Sequence, residues 1–329
     1  MRVSKKYSVS AIGNAMLDLV CEVPDQFLSQ EGILKGVMNL VSRERSNNIL
    51  KLVRPIKETA GGSAANTIST LAKLGLKTGY IGKIADDPKG NVFKKDLLDN
   101  SIFYKTDFLD KGYTEATGKC IVLITPDKER TMNTYLGATE FLTDIDIDEE
   151  LIAQSEWLYL EGYRFDGQKS KKAFYKAIEI AKKNKTKIAI TLSDSFCVDR
   201  HRSDFIYLLN VSVDMVFCNE DELKSLYQID DIKKAKEFID DSISCVACTC
   251  AERGAYLFHG SSTSEISTNK VAAVDTTGAG DSFAAGFLYG LSRNFTFEKC
   301  AAFGNIIAGE VLKVYGPRVE KSLKSVIMS

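Results

Sequence analysis

Short apolar runs alternate along most of this chain with stretches in which apolar residues return every three or four positions. WLYLEGY (157–163), KIAITLSD (187–194), VDMVFCN (213–219) and SCVACTC (244–250) have the length and composition of buried strands. Between them, KSKKAFYKAIEIAKKNK, DRHRSDFIYLLN and DIKKAKEFIDD carry the helical period. The alternation predicts βαβ units: an α/β fold with a central, mostly parallel sheet and helices on both faces. Ligands of such sheets sit at the carboxyl ends of the strands. Two regions, about 20–41 and 114–136, break the rhythm and read as strands and a hairpin, with a Pro-Asp turn inside KCIVLITPDKERTMNTYLG. They are expected to pair as a small sheet inserted in a single domain spanning 1–329, a lid that would exclude water from a reaction site.

Composition narrows the function classes. The 329 residues are 44% apolar, ample for a large core, and the net charge of −1 gives no reason to expect a nucleic-acid partner. No run reaches the ~18 apolar residues of a membrane span, and the N-terminal stretch shows no secretory pattern, so a cytoplasmic chain is expected. Eight cysteines sit mostly in apolar contexts, as reduced core thiols do. Cys245, Cys248 and Cys250 of CVACTC include a CxxC spacing, but no second pair accompanies it and neither His201 nor His259 stands at ligand spacing. The run reads as a strand. Neither histidine has a GxSxG nucleophile motif near it.

Chemistry is concentrated in VDTTGAGDSFAAGFLYG (274–290), within NKVAAVDTTGAGDSFAAGFLYGLSR (269–293), which reads as a strand, a turn and a buried helix. The first amides of a helix have no internal partner and carry the positive end of its dipole. Gly278 and Gly280, lacking Cβ atoms, would let a phosphate approach those amides. Asp281 has two readings: a cap that offsets the dipole, or a base that takes a proton from an attacking hydroxyl while the amides hold the developing charge. A Walker loop does not fit, because Asp281 follows the last glycine where lysine should stand; a dinucleotide fingerprint does not fit Phe283. Far upstream, ETAGGSAANTISTLAKLG (58–75) places Gly61 and Gly62 before Ser63 and a helix. That is either a turn with Ser63 as N-cap, or a second close backbone approach, to a sugar, with Asn66 as a polar hand.

GGSAANTISTLAKLG and DTTGAGDSFAAGF, in this order and separation, resemble the two signatures of the phosphofructokinase-B, or ribokinase-like, carbohydrate and nucleoside kinases; YIGKIADDPKGNVF resembles a third region. The resemblance covers nearly the whole chain. It implies a parallel-sheet domain with a β-lid and ATP-dependent phosphorylation of a primary hydroxyl. Asp281 would be the catalytic base, and Gly278, Ala279 and Gly280 the anion hole, with Thr277 beside them on the nucleotide side. CNEDE is similar to the family's N-x-x-E motif and would put Asn219 and Glu222 near Mg²⁺ and the triphosphate, Glu222 acting on the metal indirectly. Thr249 and Gly254 match the nucleotide loop T-x-G-x-x-G, whose first glycine is Ala251 here. Asn305 aligns with the adenine-side wall.

Within the family the chain looks most like the adenosine kinases and the bacterial proteins similar to them. That branch would use Asn14 and Asp18 toward a ribose, Asn39 and Leu40 toward a base, Arg130 toward the transferring phosphate, Met132 and Leu136 as purine contacts, and Tyr163 and Phe196 as an aromatic wall. The expected acceptor is a purine nucleoside, adenosine giving AMP; the alternative is a sugar kinase of the ribokinase or fructokinase type. The implied cofactors are ATP and Mg²⁺, with a monovalent cation such as K⁺ as a further candidate. The chain would act as a monomer or homodimer. A non-catalytic nucleotide-binding regulator is a third reading, disfavoured by the intact Asp281 and its glycines.

Overall fold

Strands buried along both faces form the centre of the molecule, as a sheet flanked by two helical layers requires. The computed structural model describes residues 5–319 and 322–327. In chain order its strands are β1 (Tyr7–Ile12), β2 (Met16–Glu22), β3 (Met38–Leu40), β4 (Lys57–Gly61), β5 (Thr78–Ile81), β6 (Phe103–Tyr104), β7 (Gly118–Ile124), β8 (Arg130–Tyr135), β9 (Ser155–Glu161), β10 (Lys187–Thr191), β11 (Met215–Asn219), β12 (Cys245–Thr249), β13 (Ala255–His259) and β14 (Ser262–Ile266). The large sheet runs β14-β13-β12-β11-β10-β9-β1-β5-β6, parallel from β12 to β6 and antiparallel at the β12-β13-β14 edge. This is the α/β architecture with a mostly parallel sheet that the alternating pattern predicts.

Local chemistry sets where the strands stop. β9 gives way at Gly162 to a 3₁₀ turn (Gly162–Asp166), and β10 ends before Asp194, whose carboxylate caps the next helix. The stretch 231–241 is a short 3₁₀ turn (Ile232–Glu237) rather than a full helix. A helix the hydrophobic period did not reveal, Glu220–Tyr227, begins directly after β11 through a reciprocal capping box between Asn219 and Glu222. Cys245 and Cys248 lie buried in β12, with Cys250 buried just beyond it. Among the described residues no helix is long and apolar enough to cross a membrane.

The second sheet has the order β3-β8-β7-β2-β4. It is wider than the two irregular segments suggest: β2 starts at Met16, and β4 closes one edge by antiparallel pairing with β2. β4 reads KETAG, with no apolar alternation to betray a strand. The β7–β8 hairpin turns at Pro126–Asp127, where the Thr125 hydroxyl donates to the Asp127 carboxylate at 2.6 Å. Alternation divides the two faces. Leu19, Cys21, Ile121 and Leu123 pack outward under the helices Asp25–Gln30 and Arg43–Leu52, through Leu28 and Ile49. Met16, Val20, Cys120 and Val122 face the other way, together with Met132 and Leu136.

Candidate active site

A cavity of about 400 Å³ lies between the inner face of the second sheet and the carboxyl ends of the large sheet's strands. β9, β10, β11 and β12 each deliver their last residue to it: Glu161, Thr191, Asn219 and Thr249. The N-terminus of the helix Ala279–Ser292 forms its floor.

That helix starts from Gly278, whose φ of +77° lies in the left-handed region; a Cβ there would meet Pro317 at 2.7 Å. The first intrahelical bond runs from Ser282 N to Gly278 O, so the Gly280 and Asp281 amides precede it. The Ala279 amide reaches the Thr276 carbonyl at 3.3 Å and is partly engaged. Asp281 makes no capping bond. Instead its two oxygens accept from Ser63 Oγ at 2.6 Å and Asn66 Nδ2 at 3.0 Å. Burial raises its pKa above the ordinary aspartate value, against those two bonds and the charges of Arg130 and Arg318. Of the two sequence readings, the side-chain cap is not made, while the carboxylate still stands in the helix's first turn, where it offsets the dipole. A fixed carboxylate with raised basicity beside open helix amides has the form of a general base next to an anion site.

Gly62 and Ser63 line the cavity, and both upstream glycines also answer a packing need. A Cβ on Gly61 would sit 2.2 Å from the Asp18 carboxyl, and one on Gly62 would sit 1.9 Å from the Asn14 carbonyl oxygen. They make room for Asp18 and for the β1–β2 connection. Ser63 is the first helical residue and not the cap, which is Gly62. Asn66 lines the cavity, but its side chain is committed to protein partners: Nδ2 to Asp281, and Oδ1 accepting from Arg318 Nε at 2.8 Å.

On the side of the second sheet, Asp18 is buried in mid-strand, not solvated at a strand end. Burial pushes its pKa up to about 7, with Arg318 pulling it down and Asp281 and Asp275 adding to the rise. Around it the cavity wall is apolar: Met16, Met38, Cys120, Val122, Met132 and Leu136. Arg130 faces the same space, and is the one cation among the lining residues. Asn14 also lines it, but its Oδ1 accepts from Arg164 Nη1 at 2.7 Å. Tyr163 lines it with its hydroxyl donating to Ser193 O.

Four expected acceptor contacts lie outside the lining: Gly61, Asn39, Leu40 and Phe196. Asn39 pairs with Asn133 on the opposite strand face, and its Nδ2 donates to the carbonyls of Leu34, Val37 and Met132. Leu40 is 45% exposed at the sheet's rim, and Met38, two residues earlier on the same face, takes the inner position. Phe196 is 42% exposed on the first turn of the helix Ser195–Ser212. Glu161 was not foreseen. It is fully buried, accepts from the Ala64 and Asn14 amides, and is raised by burial to about 7. Its signal was available: an acid closing an otherwise apolar strand at the carboxyl edge of a parallel sheet.

On the nucleotide side, Glu222 accepts from Asn219 Nδ2 at 2.7 Å and from Asn219 N, and burial pushes it up to about 8. Thr277 donates both its amide and its hydroxyl to Asp275, which also accepts from the Gly316 amide. Thr249 lines the cavity, whereas Gly254 and Asn305 do not. Gly254, at φ +95°, lies against the Ile266 carbonyl, and Asn305 Nδ2 donates to the carbonyls of Ile266 and Ser267; both hold the β13–β14 edge in place. Ala251 lines the cavity with φ +49°. The loop therefore keeps the left-handed backbone that the expected glycine would adopt. An L residue there costs about 1–2 kcal/mol, part of which glycine returns as unfolded-state entropy. Ala251→Gly is expected to stabilise the protein by roughly 0.5–1 kcal/mol, read as a raised denaturant midpoint at unchanged m. An unchanged or lowered midpoint would show that the alanine is unstrained.

The fold and site define a class, the ribokinase-like kinases. The chain belongs to the pfkB family of carbohydrate kinases, whose description matches residues 32–322. Among solved structures, it is similar to the adenosine kinase from Sinorhizobium meliloti, with a TM-score of 0.95 at 38% identity over 98% of this chain and 99% of that one. A probable sugar kinase from Rhizobium etli CFN 42 is equally similar in shape, at 0.95 and 37% identity over 98% of both chains. The 5-dehydro-2-deoxygluconokinase of Geobacillus kaustophilus is 27% identical over 285 residues, 80% of this chain and 84% of its own. Family membership implies ATP as phosphoryl donor.

Proposed function

We propose that this kinase transfers the terminal phosphoryl group of ATP to the 5′-hydroxyl of a purine nucleoside, adenosine first of all, yielding AMP. The observation that carries this reading is the apolar wall of Met16, Met38, Val122, Met132 and Leu136 set around the buried carboxylate of Asp18. A flat apolar slot suits a base, and a carboxylate can accept from two neighbouring ribose hydroxyls at once. Asp281 takes the proton of the 5′-hydroxyl as it attacks, and the Gly280 and Asp281 amides hold charge on the group in transfer.

Mg²⁺, when bound with the nucleotide, neutralises phosphate charge. Among the described residues no group of three His, Cys, Asp or Glu could cage a metal, so the fit is to a hydrated ion carried by phosphates. Glu222 and Asn219 suit that role: each Glu222 oxygen already accepts one bond from Asn219 and keeps a lone pair for a metal-bound water.

Arg130 would meet the transferring phosphoryl group as the second sheet settles over the acceptor. Its contact matters to charge developing in the transition state. Arg130→Ala is expected to lower kcat about 10²-fold while adenosine Kd stays within about threefold. A loss confined to adenosine affinity would remove it from phosphate.

The sugar-kinase alternative rests on the similarity to the probable sugar kinase from Rhizobium etli CFN 42 and to the 5-dehydro-2-deoxygluconokinase, whose name specifies a sugar acid. An anionic acceptor would want a cation beside it; this half of the cavity presents Asp18 and Glu161, with Arg130 as its one cation. The deciding experiment is ADP release across adenosine, inosine, guanosine, cytidine, ribose, fructose and 5-dehydro-2-deoxygluconate. The highest kcat/KM is expected for adenosine. A preference for any of the last three would replace the nucleoside reading with the sugar one.

A further inference from the structure

We propose that Arg318, near the C-terminal end of the described chain, is a positioning residue that sets the orientation of Asn66 and thereby holds Asp281 in place for proton abstraction. The inference rests on the reading of Asp281 as base. Arg318 does not line the cavity, and its side chain is 4% exposed. Its Nε donates to Asn66 Oδ1 at 2.8 Å, while Nη1 pairs with Asp96 on the helix Pro88–Asp99. Asn66 Nδ2 then donates to Asp281 Oδ2 at 3.0 Å. The direction of this relay follows from chemistry. A guanidinium can only donate and an ionised carboxylate can only accept, so an amide bridging the two must turn its oxygen to Arg318 and its nitrogen to Asp281. Without Arg318, the amide could rotate and set its oxygen against the carboxylate, leaving Ser63 as the side-chain donor to the base.

The neighbouring residues belong to the same clasp. Gly316 N donates to Asp275 at 2.7 Å, and Asp275 holds Thr277 at the mouth of the anion site. Pro317 packs where Gly278 leaves room for it. Consecutive residues 316, 317 and 318 thus fix the loop, the helix cap and the base's own donor. The charged and titratable groups facing Asp281 are Arg130, Arg318, Asp18, Glu161 and Tyr159. Removing Arg318 therefore withdraws one of two nearby positive charges as well as the relay.

The test is a double-mutant cycle of Arg318→Met and Asn66→Ala, with Asp281→Asn and Arg318→Lys run beside it and folding checked by thermal unfolding. Arg318→Met is expected to lower kcat about 10–100-fold with acceptor KM changed far less. It should add little in the Asn66→Ala background, because both act on one hydrogen bond. The acid limb of kcat at saturating acceptor should move up by about 0.5–1 pH unit in Arg318→Met, and by less in Arg318→Lys, which keeps the charge. If Arg318→Met does not fold, Arg318→Lys carries the cycle, since it loses the planar fork and retains the charge. Additive losses, or an unmoved acid limb, overturn the proposal. Normal turnover in Arg318→Met with an inactive Asp281→Asn removes the relay alone; normal turnover in Asp281→Asn removes the base and the relay together.

Discussion

Asp281→Asn is expected to lower kcat by about 10²–10⁴ while nucleoside and ATP affinities change little. Asparagine keeps the size of the side chain, and its oxygen can still accept from Ser63 or Asn66. What disappears is the basic carboxylate. Because Asp281 does not cap its helix, no fold-based penalty of capping size is expected, and thermal unfolding should be near that of the parent. Single-turnover kinetics with saturating substrates isolate the chemical step. Turnover within a few-fold of the parent would return Asp281 to a structural role.

The second large effect is expected at Asp18. Asp18→Ala should weaken adenosine binding by about 2–4 kcal/mol, the scale of two charge-assisted hydrogen bonds lost in a buried site. It should also abolish the preference for adenosine over 2′-deoxyadenosine. A variant that still discriminates between the two would refute the diol assignment. The pH dependence has a definite sign. The ionised carboxylate is the form that accepts from two hydroxyls, and its pKa is near 7 in the empty site. Adenosine affinity should therefore fall as pH drops through about 7 and level off above it, and Asp18→Asn should flatten that profile. For stability the sign reverses. The folded-state pKa lies above the unfolded one, so ionisation of Asp18 costs the folded state nothing below about pH 4 and its full penalty above about pH 7, at most about 4 kcal/mol. Asp18→Asn should thus be more stable than the parent at pH 8, with the difference closing toward pH 4. A residue proposed to bind the acceptor is therefore one without which the folded protein would be more stable.

Strands β9 to β12 could be read from sequence because they are buried on both faces and their apolar runs are separated by helical periods, whereas 269–274, read as a strand, forms none: among the described residues no element lies between β14 and the helix Ala279–Ser292. β4 escaped because KETAG carries no alternation and is held as a strand by pairing with β2. The helix Glu220–Tyr227 shows no long amphipathic pattern; what announces it is the N-cap Asn219 and the first-turn acid Glu222 of its capping box. In the site, Asp281 and the glycines at 278 and 280 were legible from their local chemistry at a helix start. Asn39 and Leu40 were misplaced because neither strand register nor distance from the cavity is a local property: one lies on the opposite strand face and the other at the rim. Glu161, Arg164 and Arg318 were missed for the related reason that each acts through partners distant in sequence. Arg318 meets Asn66 across 252 positions.

The second sheet also bears on how this protein is made. Its central parallel pair joins β2 to β7 with Met16 opposite Gly118, residues roughly 100 apart. At ribosomal rates of about 5–20 residues per second, β2 leaves the ribosome roughly 5–20 s before its partner is synthesised. In that interval β4 is the strand available to it, and the β7 edge of β2, which carries the apolar Met16 and Val20, has no partner strand. Polar replacements at Met16, which lines the cavity, should then act in two opposite directions, spoiling the wall against the proposed acceptor while making the nascent strand less prone to aggregate. Soluble yield and kcat/KM measured across polar Met16 variants should move against each other; parallel loss of both would place the constraint in the finished molecule alone. A strand that must wait for its partner limits which acceptors this scaffold can evolve to take.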